Sequence, residues 1–103
     1  MVSKFRAVKI VVDGIKFDSK REAHYYLIFK SLEREGRITN LKLQTSLIFD
    51  YNGCKMFTYK PDFEYDDKYG HHIVDVKGVE TPVFRLKKKL IEAKYGIKIE
   101  ILK

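Results

Sequence analysis

The chain reads as a mixed α/β domain folded around one sheet, and three observations lead there. Stretches with the two-residue period of a strand alternate with two stretches that carry helix caps and a helical period. The resulting order is hairpin, helix, three strands, helix, strand, an α/β arrangement around a sheet. The length of 103 residues, 45% of them apolar and including seven Tyr and seven Phe, suffices for a core in a single domain over residues 1–103. No linker, repeat or low-complexity stretch divides it.

Lys9 to Phe17 reads as a hairpin with Asp13-Gly14 as its turn. Ser19 with Glu22 three residues on is a capping-box pattern, so a helix is expected to run to about Glu35 and stop at Gly36. Leu41 to Asp50 alternates, with Leu41, Leu43, Leu47 and Phe49 on one face, which predicts a half-buried strand that Ile48 interrupts. Asn52-Gly53 is a turn signal. Met56 to Tyr65 is the second strand, with Phe57, Tyr59, Phe63 and Tyr65 in alternate positions, and His72 to Lys77 is the third. Thr81-Pro82 supplies an N-cap and first helical residue for a helix ending near Tyr95-Gly96, and Ile97 to Leu102 alternates as a last strand.

Composition narrows the function classes. No stretch approaches the roughly 18–20 consecutive apolar residues that span a membrane. Met1 to Arg6 carries no apolar signal core, and Cys54 stands alone, which leaves neither an intramolecular disulfide nor a cysteine zinc cluster. An unexported, reducing location is the expectation. The net charge of +7 is unevenly spread: residues 1–30 carry +4, residues 31–76 carry −2 and residues 77–103 carry +5. A basic chain favours polyanions such as nucleic acid, although a solvated basic surface would look the same. The central acidic cluster between two basic arms needs its own explanation.

The hairpin of the second and third strands offers one. If Asp67 to Gly70 form its loop, Asp66 faces His71, Asp62 faces Asp75 and Lys60 faces Lys77. Opposed side chains in an antiparallel pair lie roughly 4.5–5.5 Å apart at Cβ, so the two carboxylates repel. A divalent cation with hard oxygen ligands, Mg²⁺ above all, would turn that repulsion into binding. Asp75 and Lys77 share one face, while Val74 and Val76 point to an apolar side that Phe57, Tyr59, Phe63 and Tyr65 line as well. Pro61 cannot donate to a ladder, so a bulge or edge is expected beside Asp62. An exposed polar face with a Lys–Asp pair is the plain structural alternative.

Pro61-Asp62 followed by Asp75-Val76-Lys77 resembles the PD-(D/E)XK nuclease signature. The motif is short and degenerate, but the order of elements around it matches the superfamily's restriction-endonuclease-like core, helix, three strands, helix, strand. More closely, the chain resembles small phage-type proteins assigned to that superfamily. The matching stretches are Phe17-Asp18-Ser19-Lys20-Arg21-Glu22-Ala23, Leu43-Gln44, Pro61-Asp62-Phe63, Asp75-Val76-Lys77-Gly78, and Thr81 through Tyr95-Gly96. It is similar, more distantly, to phage and archaeal Holliday-junction resolvases and to the TnsA-type transposon endonuclease. The resemblance implies that Asp62 and Asp75 hold Mg²⁺, with Mn²⁺ able to substitute, helped by the main-chain carbonyl of Val76. It gives Lys77 the role of orienting or activating water, Glu22 that of an added ligand or a contact to metal-bound water, and Gln44 a less defined polar role. Glu22 has a second explanation as the N3 residue of the capping box, and it falls on the helix face of Tyr25, Tyr26, Phe29 and Leu32.

On the second helix the apolar arc runs through Val83, Leu86, Leu90, Ile91 and Ala93, with Lys87 and Lys94 inside it. Lys94, near the helix end, reads as a snorkelling side chain; Lys87, nearer the N-terminal end and Lys77, reads either as another or as a contact to a phosphate. Arg85, Lys88 and Lys89, with Glu92, fall outside the arc, and the three cations read as contacts to the DNA backbone or as a solvated face. His71 and His72 read as exposed turn residues, and Tyr25 and Tyr26 as core and rim. The expectation is an Mg²⁺-dependent endonuclease selective for DNA structure such as a four-way junction, with little surface for reading bases. By resemblance it would be a homodimer in the cytoplasm of a phage-infected or prophage-carrying bacterium, acting in phage DNA recombination, replication or packaging. The alternatives are a nicking or end-processing nuclease of the same fold, and an inactive module that binds DNA or a partner.

Overall fold

The computed structural model describes residues 9–103. The reading of Met1 to Arg6 lies outside them. The chain begins with a hairpin, β1 (Ile10–Val12) and β2 (Ile15–Phe17). Its turn residues Asp13 and Gly14 both have positive φ, 53° and 75°, the type I′ pattern that matches strand twist. Helix α1 (Lys20–Arg34) follows, and Ser19 Oγ accepts the Glu22 N–H at 3.1 Å as its N-cap. It ends where Gly36, at φ 75°, lets the Arg37 N–H reach back to the Leu32 carbonyl at 2.9 Å.

The expected strand Leu41–Asp50 is two strands in two sheets. Strand β3 (Thr39–Leu43) stops at Gln44, whose φ of 51° turns the chain away, and β4 (Leu47–Tyr51) starts a separate hairpin with β5 (Cys54–Tyr59). The expected strand Met56–Tyr65 also divides, at Pro61, into β5 and β6 (Phe63–Asp67). Proline has no N–H for a ladder, so the break falls where the sequence is least able to continue one. Strand β7 (Gly70–Val76), helix α2 (Pro82–Tyr95) and strand β8 (Ile99–Leu102) complete the chain. The anticipated single sheet is therefore three. A mixed four-stranded sheet has the order β3-β6-β7-β8, and two-stranded ribbons stand beside it. Only the β7–β8 pair is parallel, because α2 carries the chain back between them.

The two helices cover opposite faces of the main sheet. Ala23, Tyr26 and Phe29 of α1 pack on Phe63, Val74 and Val76. Ile91 of α2, fully buried, packs on Tyr59, Ile73 and Ile99, with Phe49 and Phe57 alongside. This corrects the shared apolar side expected for Phe57, Tyr59, Phe63 and Tyr65. The first two lie in the α2 core and the last two in the α1 core, because the break at Pro61 resets the alternation. The arc of α2 is also displaced. Phe84 and Ile91 face the core, whereas Val83, Leu86 and Ala93 are exposed, and Glu92 faces inward to accept the Ile99 N–H at 2.7 Å.

A buried carboxylate pair as the candidate functional site

The register of β6 and β7 is the one anticipated: Asp66 pairs with His71 and Phe63 with Val74. That leaves Asp62, one residue before β6, beside Asp75 near the end of β7. The two are linked directly. The Asp62 N–H donates to Asp75 Oδ1 at 2.9 Å, and Asp62 Oδ2 accepts the Val76 N–H at 2.8 Å. The Gln44 N–H donates to the Asp62 carbonyl at 3.3 Å, so the chain on both sides holds Asp62 in place. The Gln44 side chain is exposed, and its backbone is what reaches the site.

Asp75 is not on an exposed polar face. Only 3% of it is accessible, because its face of β7 is the one that α2 covers, shared with Ile73. Its second oxygen, Oδ2, accepts a short hydrogen bond from the Tyr59 hydroxyl. The carboxylate next door pushes the Tyr59 hydroxyl far up, after burial itself. Asp62 is pushed up to about 7, first by burial and then by the charges of Asp75 and Glu22, against the pull of the Val76 N–H and of Lys77. Glu22 is raised in the same way, by burial and by Asp18, and it feels both Lys77 and Asp75 across the gap between α1 and β7. Only half of the expected capping box forms: Ser19 Oγ accepts the Glu22 N–H, while the Glu22 carboxylate takes the Ser19 hydroxyl, 3.4 Å from Oε1, and not the Ser19 N–H.

Lys77 leaves β7 with its N–H bonded to the Leu102 carbonyl at 2.9 Å, and its ammonium rests 4.9 Å from the centre of the Phe84 ring. Lys87, one turn further along α2, lies 5.4 Å from the Phe57 ring centre. Asp75, Lys77, Lys87, Lys60 and Tyr59 line one cleft of about 290 Å³ at the N-terminal end of α2. Lys60 and Lys77 line the same cleft but are not the facing pair expected, because Lys60 has left the ladder. Arg85 and Lys89 are exposed beyond the rim, while Lys88 turns inward to Glu92 at 3.1 Å. A larger hollow of about 680 Å³ lies at the far end of β6, between the α1 terminus and the β6–β7 turn. Its acids are engaged elsewhere. His71 bridges Asp66 and Glu64, at 2.7 and 3.0 Å, and His72 bridges Glu100 and Asp67, at 2.7 and 2.9 Å. Both histidines belong to β7 and not to the turn, with carboxylates on both ring nitrogens; His71 is exposed as expected and His72 is half-buried.

Asp62, Asp75, Val76 and Lys77 therefore meet at one end of the sheet, with Glu22 near them on the α1 side and Lys87 in the cleft on the α2 side; neither Asp62 nor Glu22 lines that cleft. Among the described residues no group of three or more His, Cys, Asp or Glu side chains closes into a metal cage, so Glu22 stands near the pair rather than in it. The reading of the chain missed Tyr59, whose only signal was a hydroxyl on an otherwise apolar strand face, and Phe84, which lay outside the expected arc.

The fold and this end of it define a small α/β domain with a hydrogen-bonded carboxylate pair, buried Asp75 and half-buried Asp62, flanked by lysines. The chain belongs to the family described as proteins of unknown function (DUF1064), whose model matches residues 2–102. No curated protein and no solved structure matches it. No helix of the described residues is long and apolar enough to cross a membrane.

Proposed function

We propose that the chain is a metal-dependent DNA endonuclease with a restriction-endonuclease-like core, a member of the PD-(D/E)XK superfamily. The observation that carries the reading is the Asp62–Asp75 pair at a sheet end, held rigidly by main-chain hydrogen bonds with Lys77 two residues on. The order α1, β3, β6, β7, α2, β8 supports it, with β4–β5 inserted between the first two core strands. The donor set fits a hard cation. Asp62 Oδ1 accepts no hydrogen bond from any described residue, and the charged form of Asp62, disfavoured first by burial and then by the charges of Asp75 and Glu22, is favoured by a cation beside it. Two carboxylates and the Val76 carbonyl are as much as Mg²⁺ usually takes from a protein, with substrate phosphate and water supplying the rest.

When bound, the ion supplies Lewis-acid activation of water and neutralises charge on the phosphate. The residues do the remainder. Asp75 is fixed by Tyr59 and by the Asp62 N–H, so its lone pairs are oriented before substrate arrives. Lys77 and Lys87 place two cations on the cleft wall to receive phosphate oxygens, while Lys60 adds a third at its mouth. Arg85 and Lys89 hold the DNA backbone without reading sequence. A homodimer would place one such centre on each strand. The test is to incubate the purified protein with Mg²⁺ or Mn²⁺ and linear, nicked, flapped and four-way DNA beside Asp75→Ala. Cleavage is expected from the wild type only. Absent cleavage, or cleavage that survives in Asp75→Ala, removes the assignment.

A further inference from the structure

The β4–β5 ribbon is not needed to close the main sheet, yet it is firmly mounted. The Tyr95 hydroxyl donates to the Ile48 carbonyl at 2.8 Å and accepts the Ile48 N–H at 3.2 Å, and Lys94 donates to the same carbonyl at 3.1 Å and pairs with Asp50. Phe49 and Phe57 stack with ring centres 5.3 Å apart in the α2 core. Beyond that anchor every residue from Asp50 to Met56 is exposed. The turn has the type I′ pattern, with Asn52 and Gly53 at φ 51° and 74°. Two large apolar side chains stand on this tip: Tyr51, 66% exposed, and Met56, 59% exposed. Met56 is the extra residue of a bulge, since Phe49 pairs with Phe57 and Asp50 with Lys55, and bulges re-aim side chains. The base of the ribbon, Thr58 to Lys60, is one wall of the cleft.

Charge says what covers the tip. Asp50 is neutralised by Lys94. Lys55 on the ribbon and Lys60, Lys77 and Lys87 at the cleft pair with no carboxylate of the described residues. An aromatic ring and a flexible thioether on an anchored arm within a field of unpaired lysines match a polyanion with exposed ring faces. We infer that the tip of the β4–β5 ribbon is a wedge for nucleic acid, in which Tyr51 stacks on, and Met56 props open, bases unpaired at the edge of a duplex. The inference rests on the nuclease reading for what then happens in the cleft, but the wedge itself is a binding surface. From the Leu47–Tyr59 pair at its base to the Tyr51–Cys54 pair at its tip the ribbon spans about 13 Å, at roughly 3.4 Å per residue. At roughly 3.4 Å per base step, the wedge meets bases about four steps from the phosphate in the cleft.

The test measures binding without catalytic metal, by fluorescence anisotropy on a labelled flapped DNA and a fully paired duplex of equal length. Wild type, Tyr51→Ala/Met56→Ala and Lys55→Ala are compared; all three substitutions are on the exposed tip. The wild type is expected to prefer the flapped DNA by roughly tenfold, one stacked base being worth about 1–3 kcal/mol. The double variant should lose that preference and keep its duplex affinity, whereas Lys55→Ala should weaken both alike. Equal binding of flap and duplex by the wild type, or a preference that survives the double substitution, overturns the wedge. So does a concentration-dependent dimer in light scattering that the double substitution abolishes, because the tip then belongs to a second copy. Because none of these readouts needs cleavage, a protein that cuts nothing yet shows the preference would sink the nuclease and leave the wedge standing.

Discussion

Asp62 and Asp75 are set apart by their surroundings more than by their identity. Asp75 sits under α2 with both oxygens engaged, whereas Asp62 Oδ1 accepts no hydrogen bond from any described residue and Asp62 carries the raised pKa. A carboxyl whose folded pKa lies above its unfolded value stabilises the protein fully below the unfolded pKa, and that contribution is lost as pH rises through about 7. Asp62→Asn keeps an acceptor for the Val76 N–H and removes the charge. It should therefore raise the stability of the metal-free protein at neutral pH by about 1–2 kcal/mol after allowance for solvent screening, read as a higher Tm. Mg²⁺ should raise the Tm of the wild type and leave that of Asp62→Asn unchanged; a wild type indifferent to Mg²⁺ would count against the metal centre. On the proposed nuclease reading, Tyr59 acts through Asp75, to which its hydroxyl is bonded, as a positioning residue. Tyr59→Phe keeps the ring in the α2 core and deletes the hydroxyl, and should lower kcat by roughly tenfold to a hundredfold with little change in KM for DNA. An equal loss in both constants would indicate general loosening instead.

Caps and breakers decide where the elements start and stop. Ser19 and Thr81 each accept an N–H from the third residue on, at 3.1 Å in both helices. Ser19→Ala and Thr81→Ala should each cost about 1 kcal/mol, which is a fall of about 4–8 °C in Tm for a domain of this size. The Ser19 change should also move the site, since the same hydroxyl lies against Glu22. Melting curves and cleavage rates measured together separate the two effects: Thr81→Ala lowers stability at the far helix, and only Ser19→Ala is expected to disturb Glu22. Pro61 and Gln44 are the breakers. Between them the chain makes the β4–β5 excursion, and the return at Asp62 brings a carboxylate to the sheet end at which β7 delivers Asp75.

At the scale of the molecule the two ends of the β6–β7 hairpin have opposite electrostatics. One end carries the cleft with its lysines; the other holds two imidazoles, each between two carboxylates. Carboxylate oxygens face both nitrogens of each ring: the Asp66 and Glu64 hydrogen bonds raise the pKa of His71, and the Glu100 and Asp67 hydrogen bonds raise that of His72. A histidine raised in the folded state stabilises fully below its unfolded pKa of about 6.5, and the contribution disappears as pH climbs through the folded value. The wild-type Tm should accordingly decline as pH rises above about 6.5, and the decline should be shallower in His71→Gln/His72→Gln. Parallel profiles would show that the clusters do not bind protons more tightly in the fold.

The sequence by itself determined the elements that local physics controls. The Asp13-Gly14 and Asn52-Gly53 turns, both helix caps, the Gly36 stop and the Asp66–His71 register all follow from conformations or hydrogen bonds within a few residues. The same logic reached Asp62, Asp75 and Lys77, because a hairpin register fixes which side chains meet. Only the tertiary structure decided the rest. Periodicity cannot reveal that one alternating run serves two sheets, since Leu43 and Leu47 keep the same parity across the turn at Gln44. Nor can it tell which face of β7 a helix will cover, and that choice made Asp75 a buried acid instead of an exposed one. Tyr59, Lys60 and Lys87 come to the cleft from separate elements whose approach depends on how α2 and the β4–β5 ribbon pack, a non-local result that no window of neighbouring residues contains.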